Sequence, residues 1–360
     1  MAQSERSDWI VKSCSKEATD AMRIKLKSAA DSGHKSLVQT PGSSVQFMLP
    51  TTPAERRRYS LISAIDSTEP EFIVKDVKGG KASQFFHQKL KAGDRLQIQN
   101  TQSNLWKSDW CDTRKNFICF AGGIGISPVY SVIQWGLTNS ERLGHTFQLF
   151  FSAKTPRHAL LTQELESLGS NNNLNIKRVF SERSNDEGAA LGHITTEKVL
   201  SWLNELPNAH SSEYIISGPF GMMQNVHDAL DHMNVPSAQR HTEYFTDRVV
   251  DAKGQNASSA SEKRQNRPKC TLEIEQDSGV QEFTMHGEGK SILRAALDAG
   301  LNVPHSCRGG ICMSCRAIVV EGEVLRDGVS GLSEEEKAEG KILCCRTQPK
   351  TSTLKLRFDR

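Results

Sequence analysis

Four of the nine cysteines have a spacing that could do chemistry together. Cys307, Cys312 and Cys315 form a C-x4-C-x2-C array within Cys307-Arg308-Gly309-Gly310-Ile311-Cys312-Met313-Ser314-Cys315, and Cys345 follows after a further twenty-nine residues. Two irons bridged by sulfide need four thiolates, three of them from one loop wrapped around the inorganic core, and this spacing meets that need. Gly309 and Gly310 lack Cβ atoms, so the loop can turn tightly and bring its N–H groups towards the sulfides. A zinc ribbon would offer a second C-x2-C pair, which the chain does not have. Cys344 adjoins Cys345, and spacing alone leaves both open as the fourth ligand. Cys14, Cys111, Cys119 and Cys270 are expected as packing residues.

Two glycine-rich turns point to a second kind of chemistry. Ala121-Gly122-Gly123-Ile124-Gly125-Ile126-Ser127-Pro128 lies between a strand pattern and a helix pattern, and Ser217-Gly218-Pro219-Phe220-Gly221-Met222-Met223 repeats that placement. The first turn departs from G-x-G-x-x-G, because Pro128 takes the third glycine's place. Proline suits a helix's first turn, and bare glycine N–H groups beside a helix N-terminus suit a diphosphate. A third group, Arg57-Arg58-Tyr59-Ser60, reads as strand, where period two puts Arg57 and Tyr59 on one face. A cation beside an aromatic ring suits a phosphate and a planar ring system.

Residues 10 to 100 carry short strand patterns and turn signals such as Pro41-Gly42 and Gly79-Gly80, which predicts a β-rich domain built as a six-stranded barrel. Apolar strands then alternate with helices: strands at 117–121, 147–152, 176–180 and 214–217, and helices from Pro128, near 160–168 and after the second glycine turn. Such alternation predicts a doubly wound parallel sheet, which binds ligands at the carboxyl ends of its strands, where both turns lie. Residues 251–269 contain no apolar residue larger than alanine and read as a linker. Beyond it, strands at 271–275, 280–285 and 317–320 are expected around a helix carrying Ile292, Ala295, Ala296 and Ala299, which Gly300 ends. Ser333 and Glu336 form a capping box for a further short helix. The expected fold class is multidomain, β plus α/β plus α+β, divided into 1–112, 113–250, a linker at 251–269, and 270–360.

Composition excludes other classes. A chain of 360 residues with 37% hydrophobic and 24% charged residues is globular and too long for one core. No run approaches the roughly 18 uninterrupted apolar residues of a membrane span, and 45 Lys and Arg against 42 Asp and Glu make no basic face for nucleic acid. Met1 to Asp8 lacks the pattern of an export signal, and nine cysteines form an odd count, so a cytoplasmic protein without a disulfide framework is expected. The acidic Glu334-Glu335-Glu336 run with Glu339 reads as a solvated helix face.

In order and separation, Arg57-x-Tyr59-Ser60, Gly79-Gly80-Lys81-Ala82-Ser83 and the two glycine turns resemble the ferredoxin-NADP reductase superfamily, and residues 270 to 357 resemble a plant-type ferredoxin of the β-grasp fold. Together they are similar to the reductase components of multicomponent, Rieske-type oxygenases. The resemblance implies a flavin-binding β-barrel, an NAD(P)-binding domain and a [2Fe-2S] domain. It implies an enzyme that takes a hydride from NAD(P)H onto FAD or FMN and passes electrons singly through the cluster to a terminal oxygenase. Cys307, Cys312, Cys315 and Cys345 are the implied metal ligands, since the family's last ligand follows an apolar pair and precedes a polar residue, as Cys345 can in Ile342-Leu343-Cys344-Cys345-Arg346.

Further roles are implied residue by residue. Arg57 would hold the flavin phosphate, Tyr59 would pack on the isoalloxazine and Ser60 would bond near N5, while Ser83 with Gly79 and Gly80 would cap the same phosphate. Gly122, Gly123, Gly125 and Ser127 would line the coenzyme diphosphate, and Gly218, Pro219 and Met222 would border the nicotinamide. His241-Thr242-Glu243-Tyr244-Phe245 resembles the family's His-Thr-Glu-x-Phe ending, which puts Glu243 and Phe245 at the flavin's reactive edge. Ser60 and Glu243 are thereby the expected catalytic residues. Ser181 and Arg183 stand where a 2′-phosphate would sit, with Lys154 and Arg157 nearby, whereas Asp186 and Glu187 favour NADH; both coenzymes stay open, tipped slightly to NADPH. Flavin identity is open too, since the glycine turn resembles FAD-binding members and Asn104-Leu105-Trp106 resembles FMN-binding ones. Met313 stands where many relatives have Gly, and Ser217 where many have Cys. The competing readings are a free-standing diaphorase or oxidase with a small-molecule acceptor, and a non-enzymatic zinc-containing binding protein.

Overall fold

The computed structural model describes residues 6–29, 37, 39–49, 55–101, 105–182, 186, 188–243, 270–276, 279–285, 291–301, 303–304, 315–326, 332 and 334–358. The chain divides into two compact units, Met1–Glu243 and Tyr244–Arg360.

The first unit begins with β1 (Arg6–Ala18), β2 (Ala21–Ser28), β3 (Ser44–Leu49), β4 (Glu55–Ser60), β5 (Glu71–Lys75), α1 (Lys81–Gln84) and β6 (Arg95–Thr101). Its six strands run in the order β4-β3-β6-β1-β2-β5. Alternation builds the interior: on β2, Ile24 and Leu26 are fully buried while Lys25 and Lys27 face outwards. The sheet closes on itself, because Leu61 bridges Phe72 of β5 and the Ile62 N–H donates to the Glu71 carbonyl at 2.8 Å. That closure is the expected barrel, with Trp9, Phe47, Phe72 and Phe86 in its core.

The unit continues with β7 (Asn116–Gly122), α2 (Ile126–Thr138), α3 (Ser140–Leu143), β8 (Thr146–Ala153), α4 (Thr162–Leu168), β9 (Leu174–Phe180), β10 (Ala190–Leu191), α5 (Thr196–Asn204), β11 (Glu213–Ser217), α6 (Phe220–His232) and β12 (Arg240–Glu243). All six strands are parallel, in the order β10-β9-β8-β7-β11-β12. Phe117 to Ala121 is buried without interruption, as a strand covered on both faces must be. Phe120, Phe150 and Trp202 stack with centroids 4.8 Å apart at each step, fixing α5 on one face; each such pair contributes about 1 kcal/mol beyond its buried area. Helix α2 starts at Ile126, two residues before the expected Pro128, because the tight turn Gly123–Gly125 passes straight into it. Pro128 is harmless there, since first-turn N–H groups have no intrahelical partner.

The second unit holds β13 (Cys270–Gln276), β14 (Gly279–Met285), α7 (Ile292–Asp298), β15 (Arg316–Glu321), β16 (Val324–Arg326), α8 (Glu334–Ala338), β17 (Lys341–Leu343), β18 (Thr347–Pro349) and β19 (Thr353–Phe358). A five-stranded mixed sheet runs β14-β13-β19-β15-β17, with β13 and β19 parallel, and a two-stranded β16-β18 ladder stands apart. Ser291 caps α7 by accepting the Arg294 N–H, and Ile292, Leu293, Ala295 and Ala296 are buried beneath the sheet's core. Ser333 of the expected capping box and the whole 251–269 linker lie outside the described residues. Among the described residues, no helix is long and apolar enough to cross a membrane.

Candidate functional site

Ser60 ends β4 with its side chain buried, at 3% exposure, and its hydroxyl has no hydrogen-bond partner within the described protein. Leaving a buried hydroxyl unpaired costs about 1–3 kcal/mol, so an outside group completing it fits this position. Tyr59 beside it is half-buried and meets the rings of Phe47, Phe72 and Phe86 at 5.8, 5.6 and 5.1 Å. Arg57 is half-buried two residues back on the same strand, across from Phe47.

Gly79 (φ +72°) and Gly80 form the turn before α1, and a Cβ on Gly80 would stand 2.9 Å from the Ser83 Oγ. Ser83 is engaged inside this turn: its Oγ accepts the Val77 N–H at 3.1 Å and lies within bonding distance of the Val77 and Gly80 carbonyls. The hydroxyl therefore holds the turn's shape, and the backbone is what the turn presents outwards.

The two glycine turns of the parallel sheet interlock. Register pairs Ser217 with Ala121, so the turns leave adjacent strand ends side by side. A Cβ on Gly125 would lie 2.3 Å from the Ser217 carbonyl oxygen, and one on Gly122 would lie 2.5 Å from Pro219 Cδ. Gly123 is left-handed at φ +53°, a conformation that glycine adopts without strain. Ser127 is 2% exposed in the first turn of α2, and its hydroxyl is the second buried one left without a partner. A diphosphate fits here, because a glycine-rich backbone and an unpaired hydroxyl meet at the start of a thirteen-residue helix, whose first N–H groups have no intrahelical partner. Lys75, on β5 of the barrel, brings its Nζ within 3.7 Å of where a Gly123 Cβ would be, while pairing with Asp20 at 3.3 Å. Sequence reading missed Lys75, since a lysine ending an edge strand looks like ordinary surface.

Strand β12 carries the His241-Thr242-Glu243 run to this end of the sheet and is anchored on every residue. His241 Nε2 bonds Glu213 at 2.7 Å, and Thr242 Oγ1 meets His227 Nε2 at 3.1 Å. Burial opposes ionisation of Glu213, but the bond and charge of His241 overcome it and hold the carboxyl below its ordinary range. Burial, helped by Arg240, pushes His227 down to about 4, so it anchors Thr242 as a neutral ring. Ser217 donates its hydroxyl to the Glu243 carbonyl at 3.1 Å, fixing the strand end. Glu243 is buried, at 8% exposure; Phe245 lies outside the described residues.

Pro219 is exposed at the start of α6, and Met222 is buried against Gly122. Ser181 is half-buried after β9, its N–H donating to the Ala153 carbonyl at 3.1 Å; Arg183 lies outside the described residues. Lys154 pairs with Glu182 at 3.3 Å, both more than half exposed, so this cation arrives with a carboxylate beside it.

In the second unit, pairing of Arg316 with Leu343 brings Cys315, just before β15, next to the turn Cys344–Arg346 that follows β17. The Cys344 N–H donates to the Cys315 carbonyl at 3.0 Å. Cys315, Cys344 and Cys345 are buried at 2%, 0% and 7% exposure, and burial pushes the Cys344 thiol well up. Cys307 and Cys312 lie outside the described residues. Among the described residues no three His, Cys, Asp or Glu side chains form a metal-binding group; Cys315 and Cys345 stand on neighbouring segments and are soft thiol donors of the type an iron-sulfur cluster takes.

Three family models match the chain: an oxidoreductase FAD-binding domain over residues 10–106, an oxidoreductase NAD-binding domain over 119–228, and a 2Fe-2S iron-sulfur cluster binding domain over 275–350. The chain is similar to the 3-ketosteroid-9-alpha-monooxygenase ferredoxin reductase component of Rhodococcus rhodochrous, 25% identical over 334 residues, with 88% of this chain and 87% of that one covered. It is similar to the glycine betaine monooxygenase reductase subunit of Pseudomonas aeruginosa (strain UCBPP-PA14), 26% identical over 86% of this chain and 85% of that one. Among solved structures it shares its fold with phthalate dioxygenase reductase, with a TM-score of 0.57, 24% identity and 98% of each chain covered. With an FAD-binding, an NAD-binding and a 2Fe-2S domain in this order on one chain, the protein is an oxidoreductase.

Proposed function

We propose that this protein is the reductase component of a multicomponent oxygenase, moving electrons from NAD(P)H through flavin and cluster to a separate terminal oxygenase, of the Rieske type on the sequence resemblance. The carrying observation is the succession of FAD-binding, NAD-binding and 2Fe-2S domains on one chain. The names of the two relatives above, each a reductase part of a monooxygenase, support a protein acceptor over the small-molecule acceptor of a free-standing diaphorase. On this reading, residues 1–112 hold the flavin, 113–250 the coenzyme and 270–360 the cluster, joined by 251–269, and the protein works in the cytoplasm.

Bound flavin supplies hydride acceptance and bound [2Fe-2S] supplies one-electron transfer. The chain's part is to bind and orient. Ser60 offers its unpaired hydroxyl to the flavin ring, Tyr59 holds the ring's plane, and Arg57 with the Gly79-Gly80 backbone takes the phosphate, while Ser83 keeps that turn closed. Gly122, Gly123, Gly125 and Ser127 receive the coenzyme diphosphate, to which Lys75 adds a cation from the barrel. By the same resemblance Gly218, Pro219 and Met222 would border the nicotinamide, Glu243 and Phe245 would serve the flavin's reactive edge, and Ser181 and Arg183 would take a 2′-phosphate. Cys307, Cys312, Cys315 and Cys345 hold the iron.

Replacing Ser60 with alanine tests the flavin half. One lost hydrogen bond to the reacting ring is expected to slow flavin reduction by saturating coenzyme about tenfold, with flavin content and cluster spectrum unchanged. A wild-type rate would mean that the hydroxyl does not face the flavin.

A further inference from the structure

The β1–β2 hairpin of the barrel grips the connection between β8 and α4 of the parallel sheet. Thr19 donates both its N–H and its hydroxyl to the Arg157 carbonyl, each at 3.0 Å. Glu17 accepts the Leu161 N–H on one carboxylate oxygen at 2.7 Å and Arg23 Nε on the other at 2.7 Å. Arg23 then reaches Glu164, in the first turn of α4, at 2.5 Å, and Glu71 at 3.6 Å. Glu71 is held more closely by Lys25, at 2.8 Å, so the short contacts of Arg23 run to Glu17 on its own hairpin and to Glu164 on the far side.

Two features make this contact more than surface decoration. Leu161 sits at φ +56°, a left-handed conformation that costs a non-glycine residue about 1–2 kcal/mol, so its surroundings must hold it there. The Glu17 carboxylate on its N–H and the complete burial of its side chain do so. Beside the clamp lies a cavity of about 200 Å³ lined by Arg23, Ile62, Tyr130, Gln134, Leu161 and Glu164. An apolar cluster joins barrel and sheet beside it, with Ala18, Ala21, Ile62 and Ile73 among the same buried group as Tyr130, Leu160 and Leu161, and the ion pairs at its edge add the direction that non-directional apolar packing lacks. A guanidinium fork suits this role, because it can meet two carboxylates in fixed directions where an ammonium offers one point of charge.

The gripped segment leaves the end of β8, and Ser152 of β8 is in register with Gly122 of the first glycine turn. We infer that Arg23 is a positioning residue for hydride transfer, setting the coenzyme's turn against the flavin barrel through Glu17 and Glu164. This rests on the oxidoreductase reading. A misplacement of about 1 Å far from the chemistry can cost about a hundredfold in rate, whereas coenzyme affinity, set mainly by the glycine turns of the parallel sheet with Lys75 contributing from the barrel, should change little.

The experiment compares Arg23→Gln, Arg23→Lys, Glu164→Gln and the Arg23→Gln/Glu164→Gln double variant in the full, cofactor-replete chain. Arg23→Gln is expected to lower the limiting rate of flavin reduction by about ten- to a hundredfold, with coenzyme affinity held within about twofold. Arg23→Lys should recover part of the rate, and the double variant should fall short of additivity. Deuterium exchange at the Leu161 amide should quicken in Arg23→Gln without coenzyme present. If Arg23→Gln does not fold, Glu164→Gln, which removes only the far arm, should give the same split between rate and affinity. A wild-type limiting rate with unchanged Leu161 exchange overturns the clamp, as does weaker coenzyme binding at an unchanged limiting rate. Wild-type protein whose flavin neither NADH nor NADPH reduces overturns the oxidoreductase reading itself.

Discussion

Replacing Cys345 with serine is expected to abolish electron delivery to a one-electron protein acceptor while leaving flavin reduction by coenzyme intact. Cys345 lies in the turn after β17, and the pairing of β15 with β17 delivers that turn to Cys315. A serine hydroxyl is a harder donor than a thiolate and, unlike a thiol, does not ionise near neutral pH, so the cluster should fail to assemble or should lose its spectrum. Changes that merely touch a metal ligand's surroundings cost about 10–100-fold in affinity, and losing a ligand should exceed that. Cys344→Ser is the matched control. Its fully buried side chain packs in the unit's core with Leu272, Ile342 and Leu343. A hydroxyl there should cost about 1–3 kcal/mol of stability and spare the cluster. Electron paramagnetic resonance of both reduced variants, with parallel assays of flavin and acceptor reduction, checks the pair. A cluster lost in Cys344→Ser and retained in Cys345→Ser would reverse the ligand assignment.

Gly125→Ala is expected to cost both stability and coenzyme binding. Its Cβ would fall 2.3, 2.4 and 2.6 Å from the Ser217 oxygen, the Ser217 carbonyl carbon and the Gly218 nitrogen, all of them backbone atoms. No rotamer change relieves such a clash, so the two turns must separate, and overpacking of this kind costs about 1–3 kcal/mol or more. Separation also spoils the site between them, and coenzyme affinity should fall at least about tenfold, equivalent to about 1.4 kcal/mol. Gly221→Ala provides the contrast: its Cβ would meet nothing within 4 Å, and it lies in α6. It should be neutral or stabilising by up to about 1 kcal/mol. Thermal unfolding and coenzyme titration of both variants distinguish the interlock from a general intolerance of alanine.

What could be read from sequence was the chemistry that depends on residue type and spacing. Cys307, Cys312 and Cys315 suggest a cluster loop by their separation, whereas the choice of Cys345 over Cys344 came from the resemblance, and Gly122, Gly123 and Gly125 suggest a nucleotide turn by their place between a strand and a helix. The apolar runs of β7, β8 and β11 marked buried parallel strands for the same reason. Strand β12 was missed because Arg240-His241-Thr242-Glu243 has no apolar alternation; pairing with β11 and the anchors on His241 and Thr242 make it a strand. Helix α5 was missed because only Val199, Trp202 and Leu203 are buried on it. Lys75 approaches the glycine turn, and Arg23 meets Glu164, only after the barrel docks on the parallel sheet, so no local pattern announces either. Ser83 went the other way. Its position beside the glycines suggested a phosphate ligand, and the fold commits its hydroxyl to the turn itself.

The most direct test of the central claim is an anaerobic titration of the cofactor-replete protein with NADPH and, separately, NADH, followed by the visible spectrum. The expected result is bleaching of both flavin and iron-sulfur bands at about three electrons per chain, two for the flavin and one for the cluster. Flavin that bleaches while the cluster stays oxidised would contradict the internal relay.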